Sequence, residues 1–424
     1  MRLFYTMLLY IATPFVLVRL LWRSRAIRGY RQRIPERFGI VPRLPPNEGV
    51  AVWVHAVSVG ESMAAIPMIQ KLVLAYGKRQ VWVTTTTPTG SDRIRAALGD
   101  LIIHTYAPYD LPTAVYRFLE RVRPAQVIIM ETELWPNLFA AIGKRRIPLT
   151  IANGRLSPRS FRGYSRVGGF TRSTLRHVTL VAAQSEADGE RFRQLGAPTV
   201  ESVGNLKFDI EPRDDQVAAG AALRARFGPG RPAWVAASTH DGEEAAALEA
   251  HKEILKTLPD AVLLLVPRHP QRFDEVSKTI ARSGLDYIRR SGLPDGPGIV
   301  SAQVLLGDSL GEMWMYLAAA DLAFIGGSLV PVGGHNVLEP AALGLPVLFG
   351  PHMHNFVAAR DLLIGAKAAY TLDDARALRV LALRLLQDRA AAQAMGRAGR
   401  EAVIANRGAL ERLLERLGVP RTTR

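Results

Sequence analysis

From residue 50 onward the chain alternates between two hydrophobic patterns. Short apolar runs rich in β-branched residues, such as Val50-Ala51-Val52-Trp53-Val54, read as buried strands. Longer stretches with apolar residues at helical spacing follow them. In the first half this predicts strands over 51–54, 80–85, 101–105, 126–130, 148–152, 179–184 and 199–203, and helices over 61–76, 91–98, 112–121, 135–144 and 186–195. A second series predicts strands over 233–237, 261–266, 286–289, 304–306, 322–325 and 346–349, and helices over 243–257, 273–283, 312–320 and 338–343. Helix follows from about residue 356 to the end. Alternation of this kind means α/β structure with parallel, doubly wound sheets. At 424 residues the chain exceeds one ordinary core, so two Rossmann-like domains are expected, with a ligand cleft between them. The expected boundaries are a membrane anchor over 1–23, a basic linker over 24–49, a first domain over 50–211, and a second over 212–424 that includes the final helices.

The amino-terminal segment fits neither pattern. Leu3 to Val18 is almost continuously apolar, and Leu20, Leu21 and Trp22 extend it past Arg19, whose stem can snorkel. No small-residue cleavage site follows, which argues against a removed signal peptide. Arg23, Arg25, Arg28, Arg31, Arg33 and Arg37 follow instead, and such a flank stays in the cytoplasm. The segment reads as an uncleaved anchor, with the globular part on the cytoplasmic face.

Charge narrows the partners. The formal net charge is +16, which implies an anionic partner: nucleic acid, a membrane surface or a phosphorylated substrate. The basic run from Arg155 to Arg176 interleaves Phe161, Tyr164 and Phe170 with arginines. It suits anionic headgroups or a phosphorylated lipid. RNA would also fit the run, but no recognised RNA-binding motif accompanies it. The chain has no cysteine, which excludes disulfides, thiolate metal sites and a cysteine nucleophile.

Candidate chemistry lies where strands end. The first strand runs into His55-Ala56-Val57-Ser58-Val59-Gly60-Glu61 and turns sharply into a helix. Ligands bind at such turns in open α/β sheets. Glu61 would suit the helix dipole yet repel a phosphate, so it is either a cap or a catalyst. Glu131 and Glu133 follow the fourth strand, where capping is again the alternative, and Lys207 sits in the segment leaving the first domain. In the second half, Pro267-Arg268-His269-Pro270, the loop through Gly311-Glu312-Met313, and the glycine-rich loop running from Gly326 to Asn336-Val337-Leu338-Glu339 all follow strands. Glycine-rich loops feeding helix N-termini hold phosphates, and an acid such as Glu339 suits a ribose diol. There is no Walker lysine pattern, no G-x-G-x-x-G and no G-x-S-x-G elbow. His352 and His354 lack further ligands, and no metal site is expected.

Taken in order, His55–Glu61, Thr89-Gly90-Ser91, Glu131–Asn137, Asn205–Asp209, Ser238–His240, Pro267–Pro270, Gly311–Met313, Gly333–Pro340 and Gly350–His352 resemble the bacterial 3-deoxy-D-manno-octulosonic acid (Kdo) transferases of lipopolysaccharide assembly. One departure is Gly154, where the family often has alanine. The resemblance implies an inverting, metal-independent, cofactor-free glycosyltransferase of GT-B fold at the cell inner membrane. Its donor would be CMP-Kdo, its acceptor lipid IVA, and its surroundings anionic inner-membrane lipids, with no nucleic acid partner. Carried over by motif, Glu61 would be the proton acceptor and Glu131 with Lys207 the pair that stabilises the transition state. Pro267, Arg268, Gly311, Glu312, Met313, Asn336, Val337, Leu338 and Glu339 would bind CMP. A nucleotide-sugar epimerase on the same scaffold, or a membrane- or RNA-binding protein without activity, are the competing readings.

Overall fold

Each apolar run becomes a strand of one of two parallel seven-stranded sheets. The computed structural model describes residues 1–420 apart from Ala26, Pro46, Asn47, Pro229, Asp295 and Pro297. Those positions of the expected linker and second domain, together with Arg421, Thr422, Thr423 and Arg424, lie outside the described residues. The chain divides into two units. Unit 1 comprises Met1–Asp209 with Gly408–Arg424, and unit 2 comprises Ile210–Arg407.

Unit 1 contains β1 (Val52–His55), β2 (Val81–Thr85), β3 (Ile103–Tyr106), β4 (Gln126–Met130), β5 (Leu149–Gly154), β6 (Leu180–Ala183) and β7 (Val200–Ser202). Their order is β3-β2-β1-β4-β5-β6-β7, so the winding reverses between β1 and β4. Both faces are covered. Val52 and Val54 pack with Ile69 and Leu72 of the helix Val59–Tyr76, while Trp53 packs with Phe118 and Phe139 on the other face. Burial on both faces is why these strands read as unbroken apolar runs rather than alternating ones.

Unit 2 repeats the scheme with β8 (Ala233–Thr239), β9 (Val262–Pro267), β10 (Tyr287–Arg289), β11 (Val304–Leu306), β12 (Leu322–Ile325), β13 (Val347–Phe349) and β14 (Ala369–Thr371). The order is β10-β11-β9-β8-β12-β13-β14, and the winding reverses between β8 and β12.

Four features differ from the expectation. The helix Asp214–Arg226 was not expected, because its alanine-rich face carries little apolar periodicity. Its Gly220 sits so close to a neighbouring helix that a Cβ there would lie 2.5 Å from Ala318 Cβ. Strand β14 interrupts the expected helical tail; it is an edge strand with only Ala369 buried, too short to stand out. The basic run forms two helices, Pro158–Arg166 and Gly168–Leu175, the first capped by Ser157. Finally, the last helix, Ala409–Arg416, belongs to unit 1 rather than to the second domain. Leu413, Leu414 and Leu417 join the same core cluster as Ile69 and Leu72, and Asp209 accepts hydrogen bonds from the backbone N–H groups of Gly408 and Leu410.

The amino-terminal apolar segment is the helix Arg2–Arg23, also part of unit 1. It is long and apolar enough to cross a membrane. Its less exposed positions, Tyr5, Thr6, Leu9, Ala12, Thr13, Leu17 and Leu20, form one stripe along its length. The opposite side exposes Leu3, Phe4, Ile11, Phe15, Val18 and Trp22.

Candidate active site

In unit 1 the site forms at the carboxyl ends of β1 and β4, where the winding reverses and ligands bind in such sheets. After β1 the chain turns into the helix Val59–Tyr76, which begins two residues before Glu61. Ser58 caps it, its Oγ accepting from the Glu61 N–H at 3.2 Å. The Glu61 carboxylate reaches back, and Oε2 accepts from the Val57 N–H at 2.8 Å. This reciprocal arrangement is close to a capping box. The capping role is therefore present, and it fixes the carboxylate in one position at the turn. Glu61 is buried, and burial raises its pKa above the ordinary carboxylate value; repulsion from Glu131 and Glu133 adds to the rise against the hydrogen bonds from Val57 and Ser58. Gly60 beside it is exposed, and a Cβ there would have only Ser58 Oγ within reach, at 3.8 Å. Neither packing nor backbone conformation of the fold requires a glycine at that position.

Glu131 follows β4 directly, in a left-handed conformation (φ 55°) that non-glycine residues seldom adopt. Its Oε1 accepts from Lys207 Nζ at 3.2 Å. The structure therefore brings together Glu131 and Lys207, which lie 76 residues apart in sequence. The lysine is held by a relay. Asn205 Oδ1 accepts from the Lys207 N–H, and Asn153 Oδ1, at the end of β5, accepts from the Leu206 N–H, each at 3.0 Å. Glu133 turns instead to Trp135, whose Nε1 donates to it at 2.8 Å, and burial raises its pKa. His55 is fully buried against Thr84, and burial pushes its pKa down to about 4, so the ring is neutral at pH 7. Its Nε2 and the Nδ2 of Asn153 are buried without a partner.

In unit 2 the loops after β8 and β12 flank the second reversal. Glu243 joins them. Its carboxylate accepts from the backbone N–H groups of His240, Gly327, Ser328 and Leu329 at 2.7–3.0 Å. Gly326 makes this approach possible, because a Cβ there would lie 2.6 Å from Ser238 O and 2.7 Å from Thr239 Cα. His240 and His335 stack with their Nε2 atoms 2.8 Å apart, and His269 meets His240 edge-on. Burial, with the nearby charge of Arg268, pushes His335 down to about 4. Asn336 Oδ1 caps the Leu338 N–H, while its Nδ2 donates to Glu339 at 3.1 Å. Burial raises the Glu339 pKa, and the charge of Arg268 partly opposes this. Arg268, His335 and Glu339 thus converge at the ends of β9 and β12, with Pro267 closing β9 and Val337 and Leu338 buried beneath. The segment Gly311-Glu312-Met313 lies after β11, the neighbour of β9. There Glu312 accepts from Arg290 at 3.0 Å and from Ser309, and Met313 opens a short helix.

Sequence reasoning missed Glu243 and Asn153 as organisers. Glu243 looks like any acid in a first helical turn, and three of the four amides that it gathers come from a loop about 85 residues away, the fourth being that of nearby His240. Among the described residues no three His, Asp or Glu side chains converge as a metal ion would require.

Residues 32–210 match the family model described as 3-Deoxy-D-manno-octulosonic-acid transferase (kdotransferase). A 3-deoxy-D-manno-octulosonic acid transferase of Haemophilus influenzae is 40% identical over 423 residues, covering 98% of both chains. One of Bordetella pertussis is 41% identical over 427 residues, covering 97% of this chain and 98% of its own. Among solved structures, the UDP-GlcNAc 2-epimerase of Neisseria meningitidis has a TM-score of 0.56 at 14% identity, over 86% of this chain and 99% of its own. That likeness is one of fold, the two-domain GT-B architecture, and gives no support to an epimerase activity. Near-full-length identity and the matching domain agree with the ordered motifs at the strand ends: the chain belongs to the 3-deoxy-D-manno-octulosonic acid transferases.

Proposed function

We propose that this enzyme transfers Kdo from CMP-Kdo to a hydroxyl of lipid IVA, with inversion at the anomeric carbon. The acceptor oxygen bonds to that carbon as the bond to the CMP phosphate breaks. The acceptor proton passes to Glu61, and CMP leaves as an anion. The observation that carries this reading is Glu61 itself: a buried carboxylate with a raised pKa, fixed at the β1 turn beside the Glu131–Lys207 pair. A carboxylate pushed upward is the better base at neutral pH. Carboxylates nearby favour the positive charge that develops at the anomeric carbon, and Lys207 offers a partner to the donor's own carboxylate. In unit 2, Pro267, Arg268, Gly311–Met313 and Asn336–Glu339 bind CMP, with Arg268 against the phosphate and Glu339 toward the ribose. CMP departs without a strong acid, so the mechanism needs no metal or cofactor, and a chelator should leave the rate unchanged.

The acceptor is a phosphorylated lipid, and the protein works at the cytoplasmic face of the inner membrane among anionic lipids. The exposed apolar side of the amino-terminal helix and the arginine-rich helices Pro158–Arg166 and Gly168–Leu175 support this placement. No nucleic acid partner is proposed. Mass spectrometry of the product formed from CMP-Kdo and lipid IVA tests the whole reading. A lipid gaining no Kdo mass would refute it.

A further inference from the structure

The amino-terminal helix has the length and hydropathy of a membrane span, but its contacts say something more specific. At about 1.5 Å per residue, a 22-residue helix is roughly as long as the hydrocarbon core is thick. If it crossed the bilayer, its first turns would lie on the side away from the catalytic units. Yet those first turns are bonded to unit 1. Tyr5 donates its hydroxyl to the buried carboxylate of Asp110 at 3.0 Å. Thr6 Oγ1 donates to Asn137 Oδ1 and Tyr10 OH pairs with Thr113 Oγ1, both at 3.0 Å, and the ring of Tyr5 meets Phe170 with centroids 5.8 Å apart.

Asp110 is no casual partner. Its two carboxylate oxygens also accept the N–H groups of Asn137 and Leu138, the first turn of the helix Pro136–Lys144. The far end of the amino-terminal helix is held too, with Leu20 buried and Arg23 over the ring of Tyr30 at 5.0 Å. Both ends therefore rest on the same unit, and the less exposed stripe connects them. Immersing that whole stripe in hydrocarbon would carry Asp110, Asn137 and their neighbours into it as well, at a high desolvation cost. The outward side has the opposite chemistry. Leu3, Phe15, Val18 and Trp22 are 86%, 73%, 66% and 66% exposed. Phe170, which meets Tyr5, lies in the second helix of the basic run, and that run exposes Arg159, Arg162, Arg166, Arg172 and Arg176. Apolar side chains flanked by arginines match acyl chains flanked by anionic headgroups.

We propose that the amino-terminal helix does not span the bilayer but lies in the plane of one leaflet along unit 1, making one membrane-facing surface with the arginines of Pro158–Arg166 and Gly168–Leu175. This rests on the membrane reading above and adds the topology to it. Both ends of the helix then stay on the side of the catalytic units.

The absence of native cysteine makes the test clean. A Gly-Ser-Cys extension placed before Met1 of the full chain, and Lys256→Cys in unit 2 as a control, are treated with a membrane-impermeant maleimide. Intact spheroplasts, lysed spheroplasts and detergent-denatured samples are compared. The in-plane helix leaves the added cysteine unlabelled in intact spheroplasts, and it labels only after lysis or denaturation, as the control does after lysis. Labelling of the added cysteine from outside, with the control protected, would overturn the in-plane orientation while leaving membrane association standing. Sedimentation separates the two claims. A chain remaining in the supernatant at low salt would refute the membrane reading and this proposal together, and a soluble dimer there would assign the apolar side to a second copy.

Discussion

At the scale of single residues, Glu61 does two jobs that pull in opposite directions. It caps its helix through Val57, and it sits buried near two other acids. Because its native pKa is raised, the folded protein holds this proton to a higher pH than the unfolded chain does. The stabilisation carried by the neutral carboxyl is present below the unfolded value, near 4.3, and is lost as pH rises through the native value. Glu61→Gln keeps an acceptor for the Val57 N–H and removes the charge. It should raise the melting temperature at pH 7 while lowering Kdo transfer by about 10²–10⁴-fold, the usual worth of a general base. The wild-type rate should fall as pH drops through the raised pKa, so the acid limb of its pH–rate profile lies above that of an unperturbed carboxylate.

Two glycines make a matched pair of tests. Gly326→Ala forces a Cβ against Ser238 O and Thr239 Cα, and should cost about 1–3 kcal/mol in urea unfolding. Gly60→Ala meets nothing closer than 3.8 Å at a helical position, so it should leave stability unchanged or raise it by up to about 1 kcal/mol. If the space at Gly60 is for substrate, transfer should nonetheless fall. The turn that places Glu61 was legible in the sequence, because a β-branched apolar run gives way there to helical spacing. Glu243 was not, because its meaning comes from amides that arrive from another loop.

At the scale of elements, the buried parallel strands were readable because continuous apolar runs leave few alternatives. What escaped had weak patterning: Asp214–Arg226 relies on alanine and Gly220 for close packing, and β14 buries one residue. The last helix was seen, but its destination was not. An amphipathic helix declares that one face is buried without saying against what. Leu413 lies in the core of unit 1, so Leu413→Ala should destabilise that unit by about 2–5 kcal/mol, read from the unfolding of unit 1 by hydrogen exchange. Unit 2 should exchange as in the wild type. The basic run, read as arginines interleaved with aromatics and without regular structure, proves to be two helices whose arginines are exposed. Replacing Arg159, Arg162 and Arg166 by glutamate should lower the affinity for anionic vesicles about tenfold or more and leave neutral vesicles nearly unaffected.

At the scale of the whole molecule, the surplus of positive charge and the apolar side of the amino-terminal helix act through different forces. Salt screens the first and barely touches the second. Raising ionic strength from 0.05 to about 0.5 M should therefore weaken sedimentation with anionic membranes without abolishing it. The tandem pattern of strands and helices gave two domains, and the structure agrees on two. It shows, however, that the second is inserted into the first, because Gly408–Arg424 returns to unit 1.

That return has a consequence for synthesis. Unit 2 is one contiguous stretch, Ile210–Arg407, and all of it is synthesised before the closing helix of unit 1 is made. The amino-terminal unit must wait, with the core around Ile69, Leu72, Val203 and Leu206 still lacking Leu413, Leu414 and Leu417. Folding order then runs against chain order, and the nascent first unit is a natural client for chaperones until translation ends.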